Sequence, residues 1–337
     1  MRITRAPHAT RALSDGPRLL ADIGGTNARF GWQSDASEPI EKVRVMPCAD
    51  HAQLLDAIQA YIALADVPPP KCAAIGIANP VMGDRIQMTN HHWQFSMEAT
   101  RAALDLDTLL VLNDFTALAL AIPALPRACL HAIGPCDVAA TGPLALLGAG
   151  TGLGVSGLIP VPGTAQWAPI VGEGGHVSLA ASNADEFAVL QELRHQYGHV
   201  SAERVLCGQG LVDLHQSLSR LHNHLLNKDL TPAQVLEEGL HQPGSVSRQV
   251  LELFCGWLGS VAGDLALTLG AQGGLYIGGG IAPRMREYLM ASSFRQRFEA
   301  KGRFQSYLQG IPTWLIDAPE PPALLGASMA LSMQGFE

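Results

Sequence analysis

Charge is scarce in this chain. Asp, Glu, Lys and Arg make up 15% of its 337 residues, against about a quarter in an average globular protein. Lysine is scarcer still: Lys42, Lys71, Lys228 and Lys301 are the full complement, and none follows a glycine. A Walker A loop needs Gly-Lys-Ser/Thr, so that route to nucleotide binding is excluded. The charge that remains is acidic, with a formal net of -8. No nucleic-acid partner is expected, because such a protein carries a basic patch or stripe. Paired cysteines are missing as well. Cys48, Cys72, Cys129, Cys136, Cys207 and Cys255 are scattered, with no Cys-x-x-Cys pair. They signal neither a disulfide framework nor a zinc site and read as buried thiols of a reducing cytoplasm.

The apolar runs are wrong for a membrane span. Phe115 to Pro126 is short and contains Pro123, and Leu265 to Ala282 carries six glycines and Gln272. Residues 1–18 hold Arg2, Arg5, Arg11 and Arg18 with no apolar core, so they read as a disordered N-terminal tail, not as a secretory signal. The expectation is a soluble, cytoplasmic protein without a membrane partner.

Apolar residues and glycine are abundant. Hydrophobic residues reach 47%, which excludes intrinsic disorder. The 35 glycines are about a tenth of the chain, against roughly 7% in average usage, and they show no collagen period. The length suffices for about two lobes.

Arg18 to Trp32 reads as strand, Gly-Gly-Thr turn and strand. A helix is expected near Ala52 to Ala65, closed by Pro68 to Pro70. Cys72 to Ala78 reads as a buried strand, Asn79 to Ser96 as a loop or irregular hairpin, and Leu109 to Leu112 as a strand ending at Asn113-Asp114. The pattern then restarts: Leu144 to Ile159 is again strand, glycine turn and strand, with Gly148 lying 148 − 22 = 126 residues after Asp22. Helical patterns fill Ala184 to Gly198 and Pro232 to Leu269. A strand from Gly274 to Ile277 meets Gly278-Gly279-Gly280, a strand lies near Thr313 to Ile316, and Pro322 to Met333 reads as a terminal helix. The expected architecture is α/β in two lobes with a cleft between them: 19–123 as the smaller lobe, joined by a returning helix at 320–337, and 124–319 as the larger.

Glycine-rich segments at Asp22 to Asn27, Gly148 to Gly157 and Gly278 to Gly280 each follow an apolar strand. Turns without Cβ atoms expose successive N–H groups, which form a concavity suited to phosphate oxygens; the plain alternative is three tight turns. Gly152, Gly154 and Gly157 match G-x-G-x-x-G, but Gly157-Leu-Ile-Pro-Val-Pro-Gly cannot start the helix a dinucleotide site needs. Asp22 ends an apolar strand beside such a turn, where a carboxylate either stabilises the turn or holds Mg²⁺ directly or through water. Asp114, at the carboxyl end of a predicted strand, reads equally as a catalytic base or a helix N-cap. Glu173 and His176 lie in Gly172-Glu-Gly-Gly-His176, a flexible segment able to hydrogen-bond hydroxyls; a metal site there lacks a third ligand in sequence reach. Glu203 reads equally as a ligand carboxylate or as an N3 capping-box residue for a helix starting at Ser201.

In order along the chain, Asp22-Ile-Gly-Gly-Thr-Asn-Ala-Arg29, Leu112-Asn-Asp-Phe115, Gly148-Ala-Gly-Thr-Gly-Leu-Gly154, Gly172-Glu-Gly-Gly-His176, Ser201-Ala-Glu-Arg-Val-Leu206 and Ile277-Gly-Gly-Gly-Ile-Ala-Pro283 resemble bacterial glucokinases of the zinc-free type. These belong to the hexokinase, Hsp70 and actin ATPase superfamily. The resemblance runs from about Leu19 to Ser328 and implies a ribonuclease H-like, actin-like ATPase fold. It further implies ATP-dependent phosphorylation of the glucose 6-hydroxyl by in-line transfer. Asp114 would be the base, and Asn113, Glu173, His176, Glu203 and Asn90 would be sugar contacts. Gly24, Gly25, Thr26, Asn27, Gly150, Thr151 and Gly152 would hold phosphates, and Gly278, Gly279 and Gly280 would lie against the adenosine. Asp22 with Thr26 would position Mg²⁺ carried on ATP. Lobe closure would exclude water, and a homodimer is the assembly expected from the resemblance. The rivals are a kinase for another hexose on the same fold and a non-catalytic sugar-sensing or ATP-binding protein. The cysteine-rich zinc motif of the related ROK group is missing, with Cys207 and Cys255 standing alone.

Overall fold

The computed structural model describes residues 1–6, 16–89, 91–135, 141–319 and 321–333. Its strands in chain order are β1 (Arg2–Arg5), β2 (Arg18–Ile23), β3 (Asn27–Gln33), β4 (Glu41–Pro47), β5 (Cys72–Ile77), β6 (Arg85–Gln87), β7 (Gln94–Ser96), β8 (Thr108–Asn113), β9 (Leu130–Ala132), β10 (Leu144–Ala149), β11 (Leu153–Pro160), β12 (Trp167–Val171), β13 (Gly274–Gly278) and β14 (Thr313–Ile316). The helices are α1 (Leu54–Ala65), α2 (Met97–Ala103), α3 (Asp114–Ala121), α4 (Ala184–Tyr197), α5 (Ala202–Val205), α6 (Gly208–Leu221), α7 (Pro232–His241), α8 (Val246–Leu269), α9 (Arg286–Ala291), α10 (Phe294–Glu299), α11 (Gln305–Gln309) and α12 (Ala323–Ser332).

Contacts divide the chain into two compact units. The first comprises 1–126, 161–171 and 318–337, and the second 127–160 and 172–317. The first unit is built on a six-stranded sheet of order β1-β8-β5-β2-β3-β4. Its centre is parallel, β2 with β5 and β5 with β8, while β3 returns antiparallel to β2 across the glycine turn. β5 is buried from end to end, and β2 and β8 are buried except at Asp22 and Asn113, as expected for parallel strands covered on both faces. α12 comes from the far end of the chain and packs on α3, β5 and β2. Gly326 makes that crossing possible, because a Cβ there would overlap the backbone of Ala117.

The second sheet runs β12-β11-β10-β13-β14-β9 and repeats the scheme. β10 is parallel to β13, β13 to β14, and β11 folds back antiparallel on β10. α8 starts at the Ser245 cap and ends on Gly270 in the left-handed region. It is long and apolar enough to cross a membrane, but 67% of its most apolar window is buried inside the protein. It packs on α6, α7 and α10, and Phe254, Trp257 and Leu258 on it are fully buried, so it is the core helix of this unit.

Several segments depart from the sequence reading. The N-terminal tail expected to be disordered contains a strand: Arg2–Arg5 pair antiparallel with β8, from Arg2 opposite Val111 to Arg5 opposite Thr108. Backbone hydrogen bonds to an open sheet edge decide this, and the polar residues of the strand carry no signal of it. Within Asn79 to Ser96, the hairpin alternative holds: β6 and β7 pair antiparallel, Arg85 opposite Ser96. The strand β4 and the helix α6 have no counterpart in the sequence reading. α6 opens on Gly208 and Gly210, poor helix formers, and is held by a Cys207 cap and a buried face that includes Leu211, Leu214 and Leu218.

Candidate functional site

In the first unit, the candidate residues gather at the carboxyl ends of the parallel strands, where open α/β sheets place ligand sites. Asp22 is the penultimate residue of β2 and Asn113 the last of β8; β5 runs between them, with Gly76 opposite Asp22 and Ile77 opposite Asn113. A Cβ at Gly76 would stand 3.6 Å from the Ala117 Cβ and 3.9 Å from the Asp114 Cα, so this strand end is filled by neighbours. The turn after Asp22 closes with Gly24 N–H donating to the Asn27 carbonyl at 3.0 Å. Cys48 N–H donates to the Thr26 carbonyl at 2.8 Å, tying the turn to the end of β4. Gly25 is partly buried, while Thr26 and Asn27 are exposed.

The N-cap of α3 is Asn113, not Asp114. Asn113 Oδ1 accepts from the N–H groups of Phe115 (3.0 Å) and Thr116 (3.3 Å), and its side chain also hydrogen-bonds the Asp114 carboxylate. Asp114 Oδ1 accepts from Phe115 N–H at 2.9 Å. Burial, and secondarily the charge of Asp22, push the Asp114 carboxyl up to about 6; backbone hydrogen bonds pull the other way. Asp22 is also raised from its ordinary value by burial, opposed by the Arg29 guanidinium 3.3 Å away. Arg29 stands directly opposite Asp22 in the β2–β3 pairing. Only the hairpin register reveals this contact, which side-chain type and spacing do not signal.

Two of the glycine loops meet in the second unit. Gly148 pairs with Gly278, and a Cβ on either Gly148 or Gly279 would overlap the opposing backbone. Gly279 has φ +80°, a left-handed conformation suited to glycine. Ile281 N–H donates to the Ala149 carbonyl at 3.2 Å. Gly280 is exposed with open space where a Cβ would be, 4.0 Å from the position of one on Gly150. The Gly150-Thr151-Gly152 turn closes through Gly150 N–H to the Gly152 carbonyl, 2.8 Å, and Thr151 is exposed. Gly208, which the sequence reading did not select, donates its N–H to the Gly150 carbonyl at 2.9 Å. A backbone contact of this kind leaves no side-chain signature.

The remaining candidates line the same unit. Glu173 is exposed and precedes a short 3₁₀ turn, Gly174–His176. Gly174 and Gly175 press against Val155 and Leu153 of β11, contacts a side chain would block. Ala202 N–H donates to the Val177 carbonyl, 2.9 Å, and Ser178 bridges Ser201, which carries His176 toward α5. His176 Nδ1 lies 3.7 Å from Glu203 Oε1, and Glu203 Oε2 accepts from Leu153 N–H at 3.0 Å. The capping-box reading of Glu203 is corrected: Ser201 caps Arg204 N–H, so Glu203 is the second helical residue and its carboxylate turns to β11. Asn90 lies outside the described residues. Asn79, not previously selected, bridges the Gln87 carbonyl (2.8 Å) and Thr89 N–H (2.7 Å) just before it.

Among the described residues, no group of three or more His, Cys, Asp or Glu is arranged to hold a metal. A Mg²⁺ carried on a nucleotide needs only one or two protein carboxylates, its other ligands being phosphates and water. Asp22, one-fifth exposed at a strand end beside a glycine turn, fits that requirement.

A hairpin opened by a glycine turn, repeated in two mixed sheets with carboxylates at parallel strand ends, defines an α/β protein of the ribonuclease H-like, actin-like ATPase fold. A model of the family described as Glucokinase matches residues 19–334. The glucokinase of Aromatoleum aromaticum is 50% identical over 94% of both chains. The bifunctional protein glk of Burkholderia thailandensis is 48% identical over 98% of this chain, which spans 51% of that longer relative. Several other relatives matched by this chain share that longer bifunctional form, and the chain spans about half their length. A crystal structure of a glucokinase from an Antarctic psychrotroph superposes with a TM-score of 0.84 at 36% identity, covering 94% of this chain and 99% of the other. The chain belongs to the glucokinase family.

Proposed function

We propose that this protein transfers the γ-phosphoryl group of ATP to the 6-hydroxyl of glucose, releasing ADP and glucose 6-phosphate. The observation that carries the reading is Asp114: a raised carboxyl at the end of β8, one oxygen anchored by Phe115 N–H and the other unengaged by that anchor. A base with that elevation is ionised near neutral pH yet basic enough to take a proton as the hydroxyl oxygen attacks phosphorus. Asn113, its Oδ1 committed to the helix cap, donates from its NH₂ to a neighbouring sugar hydroxyl. Glu203 Oε1 accepts from a ring hydroxyl, and His176 and Glu173 orient others. Asn90 is assigned the same kind of contact from the resemblance.

For ATP, the backbones of Gly24, Gly25, Thr26 and Asn27 and of Gly150, Thr151 and Gly152 cradle phosphate oxygens, and Gly278 to Gly280 lie against the adenosine. Such oriented backbone dipoles do the work that a lysine does in P-loop proteins. Asp22, with Thr26, holds Mg²⁺ through the nucleotide. When bound, that ion neutralises charge developing on the phosphoryl oxygens.

The test is ADP release in a coupled assay with Mg²⁺-ATP across a hexose panel. Glucose is expected to give the highest kcat/KM; preference for mannose, fructose or N-acetylglucosamine would overturn the substrate assignment, and no turnover with any hexose would overturn the activity. Asp114→Ala is expected to hold glucose within about tenfold of wild-type affinity, equivalent to about 1.4 kcal/mol. Its turnover should fall by roughly 10² or more, and near wild-type turnover would remove Asp114 as the base. A cytoplasmic location and a homodimer complete the reading. Cell fractionation checks the first and light scattering coupled to size-exclusion chromatography the second.

A further inference from the structure

Glu203 has two oxygens with two different employments. Oε2 accepts from Leu153 N–H at 3.0 Å, and Leu153 is the residue directly after Gly150-Thr151-Gly152. Oε1 faces His176, 3.7 Å away. Gly152 is what admits the carboxylate: a Cβ there would stand 2.5 Å from Oε2 and 3.2 Å from the Glu203 carboxyl carbon. Gly208, five residues after Glu203, holds the other end of the same turn through the Gly150 carbonyl, 2.9 Å. The segment 203–208 therefore braces the turn at two points, one a side chain and one a backbone amide. A carboxylate beside a turn built for phosphates repels them unless its charge is shared. Sugar hydroxyls donating to Oε1 would share that charge and fix Oε2 on Leu153.

We propose that Glu203, besides binding the hexose, positions the Gly150–Gly152 turn and thereby couples hexose binding to nucleotide binding inside the second unit. This rests on the reading of Glu203 as a hexose ligand. The coupling is reciprocal, because each ligand must change the affinity for the other by the same factor.

The experiment is calorimetric titration of a non-hydrolysable ATP analogue with Mg²⁺, with and without glucose, in wild type and Glu203→Gln. Glucose is kept at saturation for each protein. In wild type, glucose is expected to tighten analogue binding about tenfold, within the usual range of coupling between sites. In Glu203→Gln, glucose binding is expected to weaken at least tenfold and the tightening to shrink to twofold or less. Weakened glucose binding with the tightening intact would overturn the coupling while leaving Glu203 a hexose ligand. Unchanged glucose affinity would overturn the ligand assignment and the coupling together. Should Glu203→Gln not fold, hydrogen exchange of the wild-type segment 148–155 decides the matter. Glucose alone is expected to slow its amides, and exchange unaffected by glucose would overturn the proposal.

Discussion

Asp114 is placed where opposing influences balance near a useful value. Burial is the larger cause of its elevation and the Asp22 charge the second, while hydrogen bonds from Phe115, its own backbone and the Asn113 side chain lower it, leaving the group at about 6. The proposed base works ionised, so kcat/KM is expected to fall as pH drops through about 6. Asp22→Asn removes the second cause but not the first, so the midpoint of Asp114 should move down without reaching 3.8. A ¹³C NMR titration of the ligand-free protein reads this directly, and an unmoved midpoint would assign the elevation to burial alone. The same shift bears on stability. Because the folded carboxyl binds its proton more tightly than an ordinary carboxylate, stability rises as pH falls from above 6 toward 3.8 and is lowest where Asp114 is ionised. Asp114→Asn is therefore expected to raise Tm at pH 8, by roughly 1 kcal/mol or a few degrees, and to have little effect at pH 4; thermal melts at the two pH values check it.

Among the elements, the crossing of α12 over α3 connects packing to chemistry. α3 begins at Asp114, and its backbone at Ala117 is approached so closely by Gly326 that a methyl group has no room. Gly326→Ala must push the two helices apart, at a cost of about 1–3 kcal/mol for an overpacked site. The expected result is a lower Tm together with a drop in kcat larger than any rise in KM, since the displaced helix carries the base. Melting curves with steady-state kinetics test this, and unchanged kcat would detach α12 from the site. Element legibility followed the same physics. The β2–β3 and β10–β11 hairpins show in the sequence as apolar runs around glycine turns. β1 and α6 do not, because one is held by backbone bonds to an open edge and the other by a cap and burial that override its glycines.

For the molecule as a whole, the chain's path matters more than its composition. The first unit is discontinuous and takes its covering helix from 318–337. Arg18 on β2 reaches the Ser332 hydroxyl at 2.9 Å, and the Ser328 hydroxyl donates to Gln33 on β3 at 2.7 Å. Ending the chain after Asp317 would strip these partners and uncover the buried faces of β2, β5 and α3. The shortened protein is expected to lose the cooperative melting of the first unit, as scanning calorimetry would show; a full transition would make α12 dispensable. The amino-acid sequence alone determined the α/β class, the glycine turns, their duplication, and the carboxylates Asp22 and Asp114 at strand ends. These are local matters of side-chain type and spacing. Only the tertiary structure decided that Asn113 and not Asp114 caps α3, that Arg29 faces Asp22, and that Glu203 bonds Leu153 and caps no helix. Those contacts depend on strand register and on approaches between segments as many as fifty residues apart, which no local pattern encodes.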